Sequence, residues 1–302
     1  MKYLEKHPMI MIIVGILGIS LSSIFVKYSQ APSAVTAAWR LLWTVALMAP
    51  VVAFRGRVRR EFRGLDRKTV LLSMVSGLFL AVHFVLWFES LAHTSVASST
   101  TIVCTEVIWV SLGFCLFLKG RLSGKAIMAI AVTLGGSVLI AWADSSAGEA
   151  HLRGDILALL AAVAVAVYTL IGRVVRTNVS TTVYTFLVYA SCAAALVGAC
   201  LVQRSSLLNF GPSPIFVGLA LAVFSTILGH SVFSWCLKYF SPSFVSASKL
   251  MEPVVAAVLA GFLFGEVPGL LQFAGGGLIL GGVYGYSRIE RGESVKNKED
   301  QV

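Results

Sequence analysis

The chain has 302 residues, of which 57% are hydrophobic and only 13% charged, about half the charged share of a soluble domain. That leaves too little polar surface to keep a body of this size in water, and the mean hydropathy of +0.86 agrees. The net charge of +10 would suit a nucleic-acid binder only if the cations gathered on one exposed folded face; here they fill short gaps between apolar runs, so no nucleic-acid partner is expected.

A helix crosses the ~30 Å hydrocarbon layer with about 20 apolar residues. Ten runs reach that length: 9–29, 34–54, 69–91, 95–118, 123–143, 154–175, 180–202, 212–237, 241–264 and 267–287. They are too long for barrel strands and lack their two-residue alternation, and helices satisfy their own backbone hydrogen bonds in lipid. The predicted fold is therefore an all-α membrane protein with ten transmembrane helices. The first run follows Lys2 and Lys6 as a signal peptide would, but its length and the following Pro32 favour a retained helix. With the N-terminus inside, nineteen of the 24 Lys and Arg fall in cytoplasmic segments and three outside. That bias fits both termini in the cytoplasm and a multi-pass protein of the plasma membrane.

Taken in order, the runs carry polar groups that oil disfavours. Run two holds Arg40 beside Trp39, with Trp43 deeper. Arg40 either snorkels to the interface or offers an anion site to a carboxylate or phosphate. Run three holds His83 in its outer part, Trp87 at the predicted interface and Glu89 near the end. Run four opens with hydroxyl residues: Ser95, Ser99, Ile102 and Glu106 share one helical face, and Ser98, Thr101 and Thr105 the next. Such stripes either let helices pack closely or line a wet path. Trp109, deeper in the run, walls a pocket or packs the core. Run eight holds His230 in its inner part. Run nine offers Ser241, Val245, Ser248 and Glu252 on one stripe, with Lys249 three residues before Glu252, where the two can pair. Run ten carries Gly277, Gly281 and Gly285, spaced for a tight helix contact within the protomer or in a homodimer. The five cysteines lie in apolar runs without zinc spacing, so no metal or other cofactor is expected.

The two halves match at an offset of 146. Leu91 pairs with Leu237, Ser95 with Ser241, Glu106 with Glu252 and Gly135-Gly136 with Gly281-Gly282, while His83 and His230 fall one residue out of register. Repeat 1 spans 9–143 and repeat 2 spans 154–287, leaving 288–302 as a cytoplasmic tail without apolar period, expected to be disordered. Five helices per repeat is odd, so the second enters the membrane from the opposite side. Inverted repeats of this kind recur in secondary transporters, whose substrate site lies near mid-membrane between the halves.

Glu106 and Glu252 each stand eleven residues into their runs, near the bilayer centre, where charge costs several kcal/mol unless it meets a cavity or partner. They are either structural or cavity carboxylates that bind substrate or a proton. His83 and His230 are satisfied structural groups or proton-relay groups. The motifs HExxH, GxSxG, GxxxxGK[ST] and CxxC are absent, so gradients or exchange would drive transport, with a proton or counter-substrate as coupling partner. Two other classes stand beside the transporter reading: a membrane enzyme using a Glu or His base on a lipid-soluble substrate, and a non-transporting receptor.

Ser90-Leu91-Ala92-His93-Thr94-Ser95 and Cys236-Leu237-Lys238-Tyr239-Phe240-Ser241 resemble one conserved segment of the drug/metabolite transporter superfamily. Glu252-Pro253-Val254 is similar to its E-P-V signature, Gly265-Glu266 to its G-E pair, and Arg40 falls where members carry an Arg in the second helix. Val107 and Gly120 depart from the pattern in the first half. The chain thus resembles the ten-helix branch built from two EamA domains. The resemblance implies an exporter or exchanger of amino acids, other metabolites, drugs or nucleotide sugars, with a central cavity open to one side at a time.

Overall fold

The computed structural model describes residues 7–94, 96–144, 152–252, 254–255, 259 and 269–299, all of them in helices or their connections. Ser95, Pro253 and the Gly265-Glu266 pair lie outside the described residues. In chain order the helices are α1 (Pro8–Ser20), α2 (Ser22–Lys27), α3 (Ser33–Phe54), α4 (Gly56–Arg63), α5 (Arg67–His93), α6 (Val96–Cys104), α7 (Glu106–Phe117), α8 (Gly124–Asp144) and α9 (Leu152–Val175). There follow α10 (Thr181–Val202), α11 (Ser213–Ala220), a π-helix (Leu221–His230), α12 (Ser231–Cys236), α13 (Pro242–Lys249) and α14 (Leu270–Glu299). Among the described residues, six stretches are long and apolar enough to cross a membrane: Pro8–Lys27, Ser33–Phe54, Arg67–His93, Arg153–Val175, Thr181–Val202 and Ser213–Cys236. Ile102–Phe117 and Gly124–Gly136 are shorter apolar helices.

Polar residues set where helices start and where they break. Asp66, Ser180 and Ser241 each accept a hydrogen bond from the backbone three residues on, at Thr69, Val183 and Phe244, satisfying a donor that the first turn leaves free. Thr105 turns its hydroxyl back to the Ile102 carbonyl at 2.6 Å, a bond that competes with helix continuation, and separates α6 from α7. Similarly, α13 ends at Lys249. The two expected hydroxyl stripes are therefore interrupted just before Glu106 and Glu252 rather than running into them as single helices.

The helices pack in a pattern that survives exchange of the halves. Let 8–27, 33–54, 67–93, 96–117 and 124–144 trade places with 152–175, 181–202, 213–236, 242–249 and 270–299. The contact of α5 with α9 becomes that of the π-helix with α1, α5 with α10 becomes α11 with α3, and α9 with α6 and α7 becomes α1 with α13. The contacts of α3 with α10, α8 with α14 and α7 with α13 map onto themselves. At the α8–α14 seam a methyl group on Gly136 would stand 2.6 Å from the Gly275 carbonyl oxygen, and one on Gly282 would stand 3.0 Å from the Ala129 carbonyl oxygen. Positions 129 and 275, like 136 and 282, are 146 apart. These glycines make the tight contact within the protomer, where Gly277, Gly281 and Gly285 turn toward open space. Gly136→Leu is expected to cost about 1–3 kcal/mol through overpacking, whereas Gly281→Leu leaves the thermal melting of detergent-purified protein unchanged.

Helix α14 continues to Glu299, with no proline in 270–299. One further expectation is corrected. Trp87 is not at an interface but 5% exposed in the core.

The π-helix accounts for the slip between His83 and His230. Helices α5 and α11 start 146 residues apart, at Arg67 and Ser213, and Ser90 and Cys236 are again 146 apart. Between those points His230 is one residue late. In an α-helix, one residue is about 100° of rotation and would turn the ring onto another face. The wider π winding, in which the Ser231 N–H bonds the Thr226 carbonyl five residues back, absorbs that residue.

Candidate functional site

Six of the eleven residues singled out in the sequence meet at one cavity. Arg40, His83, Glu106, His230, Lys249 and Glu252 line it, together with Ile19, Ser22, Trp87, Val103 and Val165. Its volume is about 40 Å³, enough for one or two water molecules.

Arg40 enters from α3 with no exposed surface, which rules out snorkelling to the interface. Its Nε donates to Thr226 Oγ1 at 2.7 Å and its Nη1 to Ser22 Oγ at 3.2 Å. The guanidinium carbon stands 4.1 Å from the centre of the Phe84 ring, a cation–π contact. Among the described residues, Nη2 has no hydrogen-bond partner. The guanidinium is thus fixed on three sides with one nitrogen, Nη2, left unpartnered among the described residues.

Lys249 does not pair with Glu252, three residues on. Its Nζ donates to Glu106 Oε1 at 2.8 Å, crossing from the second half to the first. The reason is the break after Lys249, which takes Glu252 off the helical face the spacing assumed. Two cations and two carboxylates therefore line the cavity, and one pair is consumed internally. Glu252 is 8% exposed, and its Oε1 has no hydrogen-bond partner among the described residues.

The histidines, which the sequence placed at different membrane depths, have ring centres 6.4 Å apart. His83 Nδ1–H donates to the Ala161 carbonyl at 3.0 Å, which leaves Nε2 as the acceptor nitrogen of the neutral ring. The ring stacks on Trp87, with centres 6.0 Å apart at 15°. Tyr168 lies 6.0 Å from His230 and bonds Ser234 at 2.9 Å. No group of three or more His, Cys, Asp or Glu among the described residues could hold a metal ion.

The other five sequence candidates stand elsewhere. Ser99 accepts a hydrogen bond from Ser90 at 2.8 Å, and Ser248 donates to the Phe244 carbonyl within its own helix; both serve packing. Trp43 donates to the Ile215 carbonyl at 3.0 Å, tying α3 to α11. Trp109 has a buried Nε1 without a partner among the described residues and does not line the cavity. The Thr101 side chain lies outside the described residues. Conversely, sequence reading missed Ser22, Thr226 and Trp87. Trp87 follows His83 by one helical turn, a spacing that places both rings on one face.

Two arginines tie helices together at one end of the molecule. Arg173 donates to the Leu237 and Phe240 carbonyls, and Arg176 to those of Ser234 and Val179. Together they fasten the end of α9 to the carbonyl-rich end of α12. At the 146 offset their counterparts are Lys27 and Gln30, both exposed. Arg173→Gln with Arg176→Gln is expected to speed alkylation of Cys236, fully buried beneath this tie, by at least about tenfold, since one charge-assisted bond contributes about 1.5–3 kcal/mol. Peptide-level mass spectrometry after timed labelling measures it.

A family model described as the EamA-like transporter family matches residues 7–142 and 152–288. The uncharacterized transporter YxxF of Bacillus subtilis (strain 168) is 27% identical over 226 residues, 72% of this chain and 70% of its own. An uncharacterized transporter of Archaeoglobus fulgidus is 22% identical over 247 residues, 81% of this chain and 83% of its own. A solved crystal structure superposes with a TM-score of 0.78 over 95% of this chain and 98% of that one, at 18% identity; that likeness is one of fold.

Proposed function

The chain belongs to the EamA-like transporter family and is a membrane transporter, and from that premise we propose that it moves a small organic solute carrying both a cationic and an anionic group, of which an amino acid is the type. Ten transmembrane helices form two inverted five-helix repeats, and alternating access exposes the cavity to each side of the plasma membrane in turn. Both termini lie in the cytoplasm, and the direction is export or exchange, driven by a proton or counter-substrate. The Arg173–Arg176 tie closes the cytoplasmic end.

One observation carries this reading. Two buried groups of opposite charge, Arg40 and Glu252, line the same cavity, and each keeps one polar atom without a partner among the described residues. Buried polar atoms are rarely left so, and a solute with a carboxylate for Nη2 and an ammonium for Oε1 completes both. The Glu106–Lys249 pair is already complete and spans the two halves, so it serves as the interlock. His83 and His230 supply groups able to exchange a proton with the same space.

The test is flux into proteoliposomes for a panel of labelled amino acids beside matched monocarboxylates and monoamines, with and without a pH gradient. Saturable flux of a solute bearing both groups, abolished by Glu252→Gln in protein that still purifies as a single species, is expected. Equal flux of the singly charged analogues, or unchanged flux in the variant, overturns it.

A further inference from the structure

We propose that α4 and its flanks form a binding shelf for the phosphate headgroups of anionic phospholipids, in the leaflet on the side of the connection between α3 and α5. The segment 55–68 carries Arg55, Arg57, Arg59, Arg60, Arg63, Arg67 and Lys68 against Glu61 and Asp66, a net of +5 in fourteen residues. All seven cations are exposed.

Charge alone makes a solvated loop; here the two carboxylates are spent elsewhere and the helix is fixed. Glu61 Oε1 accepts the Ser180 N–H at 2.6 Å, and Asp66 Oδ2 accepts the Thr69 N–H at 3.2 Å. Among the described residues none of the seven cations has an ion-pair partner. Val58 is buried, and Phe62 sets its ring edge-on to Phe186 at 6.2 Å. One face of α4 is thus locked to α10, holding the arginines on the other.

The position selects the occupant. The segment joins the ends of two membrane-crossing helices, Ser33–Phe54 and Arg67–His93, so it lies at headgroup depth. Phe54, 87% exposed beside Arg55, meets the acyl boundary. Guanidinium forks match phosphate oxygens in geometry and charge, and a cationic amphipathic helix beside an apolar ring is built for an anionic surface. Through Glu61 and Ser180 the shelf reaches the loop that carries Arg176, so a bound lipid presses on the tied end of the molecule.

Full-length protein in mild detergent, supplied with equal phosphatidylglycerol and phosphatidylcholine, is examined by native mass spectrometry. Phosphatidylglycerol should be retained over phosphatidylcholine by at least about fivefold, as expected near ~1 kcal/mol per cation. Arg57→Gln, Arg60→Gln and Arg63→Gln together should abolish that preference, leaving the two lipids retained about equally, while Lys27→Gln with Arg204→Gln leaves it unchanged. Retention by the unaltered chain should also fall between low and high salt, which decides the matter even if the triple variant inserts poorly. Equal retention of the two lipids, salt-independent retention, or displacement by millimolar inorganic phosphate, which marks a free-anion site, each overturns the proposal.

Discussion

Arg40→Lys is expected to lower transport by about 30- to 150-fold while the protein remains folded. A lysine keeps the positive charge that the surrounding carboxylates balance, so the fold is not asked to bury a bare Glu. What it loses is geometry. The guanidinium donates to Thr226 and Ser22 and stacks on Phe84, and still has Nη2 to give. An ammonium on a flexible stem cannot reproduce that planar fork. One lost charge-assisted bond to the solute corresponds to about 2–3 kcal/mol, hence the fold-change. The loss should fall mainly on half-saturation in a proteoliposome assay, with gel filtration and melting unchanged. Transport by the lysine variant with unaltered half-saturation would remove Arg40 from the site.

Glu106→Gln acts on the other axis. It strips Lys249 of a partner 2.8 Å away inside the protein, and an orphaned buried charge costs about 3–5 kcal/mol. The variant should melt well below the parent and give a poor yield of dispersed protein. Adding Lys249→Met should recover most of the loss, since removing both charges leaves nothing stranded. Glu252→Gln, by contrast, should melt close to the parent, because its Oε1 leaves no protein donor behind. The two carboxylates are counterparts in sequence and opposites in this test. If Glu106→Gln melts like the parent, the pair does not interlock the halves.

The architecture was largely legible because it rests on one-dimensional signals. Apolar runs give helices, and a charge buried in oil flags itself. The family resemblance read from the residues agrees with the match over 7–142 and 152–288. Three-dimensional partnerships were not legible. Lys249 stands three residues from Glu252 in the chain but bonds Glu106, 143 residues away. Thr226, which orients Arg40, is 186 residues from it. Periodicity states which residues share a face but not which helix that face meets. The GxxxG spacing of Gly277, Gly281 and Gly285 shows the same limit, since within the protomer the seam formed one residue over, at Gly282. Single-residue events such as the turn-back of Thr105 are likewise invisible to a count of apolar runs.

The widened π stretch at Leu221–His230 bears on how the two halves are compared residue by residue. A gap-free alignment of the halves assigns Gly229 as the counterpart of His83. A mutational survey guided by it would alter a glycine pressed against Ile19, where even a methyl group would meet Ile19 Cγ2 at 2.7 Å. It would report damage to packing and be read as loss of the second imidazole. The equivalence that matters is by position in space: the two rings face each other through a change in the pitch of a helix, not through a matching place in the text.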